Sequence, residues 1–408
     1  MMALLPVAEA QQLLFAATKL IDHIETVAIA EAGGRVLAAP LMARLTQPPF
    51  DASAMDGYAV RAEDVADLGS RLRVIGQSSA GHGYSGTVGT GEAVRIFTGA
   101  PVPEGATVVL LQEDAEKTDD GHIVNRFSPA AGRHIRPRGQ DFRDSETVLE
   151  PGTVLDAGAL MVAAAMNHAE LPVYRKPLVA VIATGDELVR PGEMPGPDQI
   201  IASSTYAVSH LVRQAGGDVL DLGLVADNAD HIQAAVNRAV DAGADIIVTL
   251  GGASVGDHDL VQSSLKDMGM VLDFWRIAMR PGKPLMVGAL GAVRVLGLPG
   301  NPVSTMVCSY LFLEPLLAIL GHRPLPNRMA MARTDIALAA NDHRQDYLRA
   351  TLSTGSDQIR MVRPHSQQDS SQMKIFARSD CLIVRPPHAP AAAAGDEVPV
   401  LLLRQPTF

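Results

Sequence analysis

The sequence predicts a multidomain α/β plus β protein, and three observations carry that expectation. Strand-like and helix-like segments alternate from Lys176 to Leu320, the pattern of βαβ units on a mostly parallel sheet. Short apolar runs punctuated by Gly and Pro fill the stretch from Leu45 to about Gln140, and short strand-like runs return after residue 322. The length, 408 residues, corresponds to two to four domains at roughly 100–200 residues each. With 47% hydrophobic and 19% charged residues, a large core is affordable and wholesale disorder is not expected.

The elements follow in order. Residues 1 to about 42 read as helical with a break at Gly33-Gly34, because Leu13, Leu14, Ala17 and Leu20 recur at helical spacing. This start lacks the basic region and small-residue cleavage site of a signal peptide. Arg71–Ile75, Ala93–Phe97 and Thr107–Gln112 read as strands of an irregular β domain. Asp156 to His168 reads as a helix of small residues, with Gly152 and Asp156 as its start signals. Strands are expected at Leu178–Ala183, Asp218–Val225 and Asp245–Leu250, and helices at about 205–215 and 229–242. Three shorter strands are expected at Leu272–Arg276, Leu285–Val287 and Val293–Leu298. A long helix follows at Val303–Leu320; Glu314 and Pro315 interrupt it, so it reads as a buried globular helix and not a membrane span. After the linker HRPLPNR, strands are expected at Gln345–Leu352, Gln358–Val362, Cys381–Val384 and Val398–Leu403.

Composition narrows the function classes. The net charge is −11, with no basic block of the size that phosphate-backbone binding needs, and only 4% of residues are aromatic, few for a stacking surface. No nucleic-acid or membrane partner is expected. Two cysteines, Cys308 and Cys381, form neither a disulfide framework nor a CxxC site, which fits a reducing cytoplasm.

Four loops follow strands of the α/β region, where open sheets bind ligands. ATGDEL (183–188) places Gly185, Asp186 and Glu187 at the sheet edge; a helix N-terminus with dipole-favoured acids is the plainer alternative. LGGASVGDHD (250–259) combines Gly251 and Gly252, whose N–H groups can approach an oxyanion, with Ser254 and with Asp257 and Asp259 as oxygen ligands for a divalent cation. A glycine-rich loop with capping aspartates is the alternative. MRPGKP (279–284) holds Arg280 and Lys283 on a stiff Pro-Gly turn ending at Pro284, suited to phosphate or molybdate, or else it is a surface turn with solvated charges. LPGNPVS (298–304) puts Pro299, an N-cap Asn301, Pro302 at the helix start and Ser304 where an anion could sit, or it is a cap and nothing more. Two further motifs, PPFDASAMDGYAVR (48–61) and RIFTGAPVPEGA (95–106), lie in the earlier β region and predict no reaction by themselves.

In this order and spacing the six motifs resemble the MoeA family of molybdopterin molybdenumtransferases, which includes the E domain of gephyrin. The resemblance spans essentially the whole chain. It implies a MogA-like three-layer α/β domain (1–21 and 173–322), a helical dimerisation and linking domain (22–44 and 143–172), a β-rich domain (45–142) and a C-terminal β-barrel-like domain (323–408). It implies transfer of molybdate-derived molybdenum to adenylylated molybdopterin with release of AMP, assisted by Mg2+, in a cytoplasmic homodimer whose active site combines the α/β domain of one subunit with the MDGYA domain of the other. Transient contact with the pathway's adenylyltransferase is also implied. The positions that match are Asp56, Thr98, Asp141, Glu187 and Asp259 for catalysis, and Asp227 with Asp259 for the metal. Gly251, Gly252, Ser254, Arg280, Lys283, Pro284, Pro299, Asn301, Pro302, Ser304, Arg349 and Ser371 match the substrate-binding positions. The chain departs from the family at Ala52, at Gln140, in IIASSTY, and in HSQQDSSQMKIF, which lacks the usual Gly-Ser-Gly pattern. Two alternatives stand beside this one: a molybdopterin adenylyltransferase sharing the α/β core, and a non-enzymatic scaffold like the gephyrin E domain.

Overall fold

A computed structural model describes residues 4–251, 260–355 and 359–404. The chain divides into two compact units, residues 1–25 with 174–408, and residues 26–173.

The larger unit is built on a six-stranded sheet with the order Asp218–Val225, Leu178–Thr184, Ile246–Leu250, Val293–Leu298, Met286–Leu290, Val271–Trp275. The first four strands are parallel; the last two pair antiparallel. Side chains alternate across a strand, and here both faces are apolar. Val179, Val181 and Ala183 enter one core with the helices Val7–Ala16, Ser204–Gln214 and the long helix from Pro302. Ala180 and Ile182 enter the other with Ala229–Asp241 and Leu260–Asp267. This two-sided burial is why Leu178–Ala183 reads as a continuous apolar run. Asn228 caps its helix, its Oδ1 accepting from the Asp230 and His231 N–H groups at 2.9 and 3.3 Å.

Pro302–Leu320 is long and apolar enough to cross a bilayer by composition, but 78% of its most apolar window is buried within the chain. Its middle, Ser309–Leu313, widens into a π turn just before Pro315. Pro315 has no N–H to give and its ring crowds the preceding turn, so the wider turn accommodates it. Glu314 accepts two bonds from Arg328, at 2.5 and 2.6 Å, tying this helix to the chain beyond it.

Also in the larger unit, Gln345–Thr354, Arg360–Pro364, Met329–Thr334, Glu397–Leu402 and Cys381–Arg385 close into a five-stranded barrel, because Gln345–Thr354 pairs with Cys381–Arg385 as well. Met279–Arg280 adds to it in parallel, with Arg280 opposite Asp346. Met329–Thr334 and the helix Met373–Arg378 are not apparent from the sequence reading.

The smaller unit holds a sheet with the order Val108–Leu111, Gly57–Val60, Glu92–Ile96, Arg71–Ser78, His122–Asn125, Ala115–Lys117. It also holds the helix Ala157–Ala165, N-capped by Asp156, whose side chain accepts from the Ala159 N–H at 2.9 Å. The expectation of helix from residue 1 to about 42 is wrong. Helix ends at Ala16, and Ile24–Ala28 is a strand paired with Glu170–Tyr174. The β-branched Ile24, Thr26 and Val27 favour that pairing, and its partner lies far away in sequence.

Candidate active site

In the larger unit a cleft of about 1100 Å³ opens at the carboxyl ends of the parallel strands. That is slightly above the range of about 300–1,000 Å³ usual for a small-molecule site. Ala183–Gly185, Glu187, Leu188, Ile200–Thr205, Asp227, Leu250–Gly251, Met279–Pro284, Pro299–Pro302 and Ser304 line it, joined by Arg344, Gln368, Ser370, Ser371 and Met373 from the larger unit's C-terminal part. All four strand-end loops thus contribute described residues to the cleft, the second of them only Leu250 and Gly251. Gly252, Ser254, Asp257 and Asp259 lie outside the described residues. Gly251 has φ 95°, and a Cβ there would meet the Thr184 carbonyl at 2.7 Å, so glycine is required for the strand ends to come this close.

One side of the cleft is cationic. Arg280 is ion-paired with the buried carboxylate of Asp346 and stands 3.7 Å from Asp342, with half of its side chain still exposed. Arg344 donates to Asp342 at 2.7 Å, and these bonds hold the Asp342 carboxyl well below the usual carboxylate range. Lys283 is exposed and has no carboxylate partner among the described residues. The turn beneath it is packed tightly: a Cβ on Gly282 would fall 2.7 Å from Cys308 Sγ.

The other side is acidic. The Asp227 N–H donates to Asp186 Oδ1 at 3.1 Å. Burial, and then the charges of Asp186 and Glu187, push the Asp227 carboxyl above its ordinary value. Glu187 folds back over Gly185, which has φ 147°. No helix follows this loop directly; the short strands Leu188–Val189 and Ile200–Ile201 do, so the helix-terminus alternative for ATGDEL does not apply. Among the described residues no group of three His, Cys, Asp or Glu side chains is arranged to hold a metal.

The LPGNPVS loop begins its helix at Pro302, as expected, with Asn301 in the cap position. The Asn301 side chain makes no cap bond; its Nδ2 donates to Ser370 Oγ at 3.1 Å instead. Thr305 supplies local closure, its hydroxyl donating to the Pro299 and Asn301 carbonyls at 2.5 and 3.0 Å. Ser304 is buried on the cleft wall, and its hydroxyl makes no hydrogen bond among the described residues.

Arg349 is 1% exposed and does not line the cleft. Its Nε donates to Gln368 Oε1 at 3.2 Å and its Nη1 to the Asp369 carbonyl at 2.6 Å. Arg344, Gln368 and Ser370 are cleft residues that sequence reasoning missed. The alternating charges of NDHRQD were the available signal, but Arg280, which organises them, is 66 residues away.

In the smaller unit, Asp56 Oδ1 accepts from the Thr98 N–H at 2.8 Å and from the Thr98 hydroxyl at 2.9 Å. These bonds, the backbone one foremost, hold the Asp56 carboxyl below its ordinary value. The MDGYA and FTGAPVP motifs are therefore one local constellation. Arg95 stacks over the Phe97 and Tyr58 rings beside it. Asp141 is exposed, and its N–H donates to the Gln47 carbonyl at 3.0 Å.

Three family profiles match the chain in succession: MoeA N-terminal region (domain I and II) at residues 5–167, probable molybdopterin binding domain at 180–319, and MoeA C-terminal region (domain IV) at 331–403. The molybdopterin molybdenumtransferase of Haemophilus influenzae is 35% identical, over 92% of this chain and 93% of the relative. That of Bacillus subtilis is 31% identical, over 93% and 90%. Among solved structures, the molybdopterin biosynthesis moeA protein of Pyrococcus horikosii superposes with a TM-score of 0.81 at 29% identity, covering 99% of this chain and 100% of that one.

Proposed function

The chain belongs to the MoeA family, and from that premise we propose that its cleft brings molybdate together with adenylylated molybdopterin, places molybdenum on the dithiolene sulfurs and releases AMP. It is a molybdopterin molybdenumtransferase of molybdenum-cofactor biosynthesis. The observation that carries the site-level reading is the polarity of the cleft: fixed cations and an uncommitted serine on one side, clustered carboxylates on the other.

Two anions must meet in a protein of net charge −11. Unit charges about 4 Å apart repel by about 4 kcal/mol at an effective dielectric of 20, so compensation is needed. Lys283 and the exposed part of Arg280 supply it for molybdate. Asp346 holds Arg280 in place, so little reorganisation is required when the anion arrives. Ser304 adds a hydroxyl donor, and Gly251, Pro284, Pro299, Asn301 and Pro302 shape the walls around the second anion; Gly252 and Ser254 are assigned to substrate binding by their match to the family alone. Proximity and orientation of the two substrates are the main contribution of such a site.

Magnesium is assigned to the acidic side through the family match at Asp227 and Asp259; Glu187 and Asp227 line the cleft there and offer hard oxygen donors, though the described carboxylates do not by themselves make a metal site. When bound, the ion supplies positive charge to the pyrophosphate link. Asp227 and Asp259 are the residues proposed to hold it, with Glu187 beside them. Asp56, Thr98 and Asp141 are proposed to act in the same reaction, as their match to the family implies.

We also propose a cytoplasmic homodimer. Both cysteines are buried and free, which suits a reducing compartment. The helix Ala157–Ala165 is apolar on every side yet buries only Ala159 and Ala163, leaving a face for a second copy.

The test is AMP release from adenylylated molybdopterin. Release should require both molybdate and magnesium, and Asp259→Asn should lower it by at least about a hundredfold, the scale of losing a key electrostatic group, without changing oligomeric state. Release indifferent to molybdate would refute the reading. Consumption of ATP with unadenylylated molybdopterin would favour the adenylyltransferase instead.

A further inference from the structure

Arg95 lies on the strand Glu92–Ile96, directly opposite Tyr58 of the neighbouring strand Gly57–Val60. Its guanidinium stands over two rings, 4.7 Å from the Phe97 centroid and 5.2 Å from that of Tyr58. A cation in the same constellation as Asp56 and Thr98 invites assignment as an anion-binding group. Its hydrogen bonds point the other way. Nη1 donates to the Gly57 carbonyl at 2.9 Å, and Nη2 donates to Gln112 Oε1 at 2.7 Å. A bidentate grip on an oxyanion uses two adjacent guanidinium nitrogens. Here both terminal nitrogens are already turned toward oxygens of the chain.

Those oxygens belong to the turn that presents Asp56. The Nη1 bond holds the carbonyl of the residue that follows Asp56. The Asp56 carbonyl itself accepts from the Gln112 N–H at 3.2 Å. Gln112 therefore meets the turn twice, by its backbone at Asp56 and through Arg95 at Gly57. Gln112 Nε2 donates to Glu113 Oε1 at 3.3 Å, which sets the amide with its oxygen toward Arg95. On the far side of the carboxylate, Asp56 Oδ1 takes the two Thr98 bonds, and Thr98 is three residues beyond Arg95 on the same segment. The Thr98 bonds, backbone and then side chain, lower the Asp56 carboxyl most; burial opposes them, and the Arg95 charge lowers it further.

We propose that Arg95 is a positioning residue for the reaction: with Gln112 it clamps the Asp56–Gly57 turn and holds the Asp56 carboxylate in its aim, without itself touching substrate. This assignment rests on the reading of Asp56 as a group that acts in the reaction.

Turnover of the full-length protein, followed as AMP release, tests it. Arg95→Lys keeps the charge but not the two-pronged grip, and kcat should fall at least about tenfold, since a misplacement near 1 Å can cost about a hundredfold. KM for molybdate and for adenylylated molybdopterin should stay within about twofold, as neither touches the residue. Gln112→Ala leaves Arg95 stacked on its rings and should lower kcat in the same way. In the Arg95→Lys background it should add little, because the two residues act as one unit. The Asp56 carboxyl, read by carbon-detected NMR, should titrate at higher pH in Arg95→Met than in the wild type, a change that loss of scaffolding alone would not produce. Wild-type kcat in Arg95→Lys and Gln112→Ala, a loss confined to KM, additive losses, or an unmoved Asp56 midpoint would each overturn the assignment. Asp56→Asn separates the two levels. If it abolishes turnover while Arg95→Lys does not lower it, only the present assignment fails; if Asp56→Asn retains turnover, the reading of Asp56 fails with it.

Discussion

The Asp56–Thr98 pair is a single-residue device with a pH signature. Asp56 accepts both the N–H and the hydroxyl of Thr98, which lowers its pKa from the ordinary 3.8. A carboxyl depressed in the folded state contributes stability above its unfolded pKa and loses it as pH falls through the folded value. The MDGYA loop should therefore loosen only below pH 3.8, and the effect should be small because the group faces solvent. In Thr98→Ala the Asp56 carboxyl should titrate at higher pH than in the wild type, with Thr98→Ser restoring the lower value. Carbon-detected NMR of the aspartate carboxyls reads both. An unchanged midpoint in Thr98→Ala would mean the hydroxyl bond contributes nothing.

At the scale of elements, several loop residues that look chemical turn out to be steric. Gly57 of MDGYA lies in a strand hydrogen-bonded on both sides, and a Cβ there would sit 2.0 Å from the Leu110 carbonyl oxygen. Backbone cannot give way as a side-chain tip can. Gly57→Ala should therefore cost at least about 1–3 kcal/mol of stability, as overpacking does, read as a lowered Tm. A Tm within error of the wild type would show that the sheet edge yields more readily than this geometry allows. Asn301 makes the complementary point. Its sequence position is that of a cap, and the helix does begin where expected, but the side chain turns to Ser370 because the barrel supplies a better-placed partner.

At the scale of the whole molecule, the exposed face of Ala157–Ala165 bears on assembly. Met161 is 70% exposed in the middle of an all-apolar helix. If this face meets a second copy, Met161→Asp buries an unpaired charge at a cost of about 3 kcal/mol or more, roughly a hundredfold in the dimer dissociation constant. Sedimentation at graded concentrations measures this. A dimer indifferent to Met161→Asp would place the contact elsewhere.

The parallel strands, their helices and the convergent loops were legible in the sequence because each depends on local pattern: Leu178–Ala183 by its unbroken apolar run, Asp156 as a cap, Pro302 by its place at a helix start. Ile24–Ala28 was not, since its strand partner is distant and its own spacing also suits a helix. The cleft's cation network was hidden for the same reason. Asp346 and Arg280 are separated by 66 residues and meet only through strand pairing at the edge of the barrel. By itself the sequence determined the family and the alternation of strands and helices from Lys176 to Leu320. The tertiary structure decided which donors are uncommitted: Lys283 more than Arg280, and not a buried Arg349 turned toward Gln368. The physical reason is that a residue type states which hydrogen bonds are possible, and only folding determines which of them are already made.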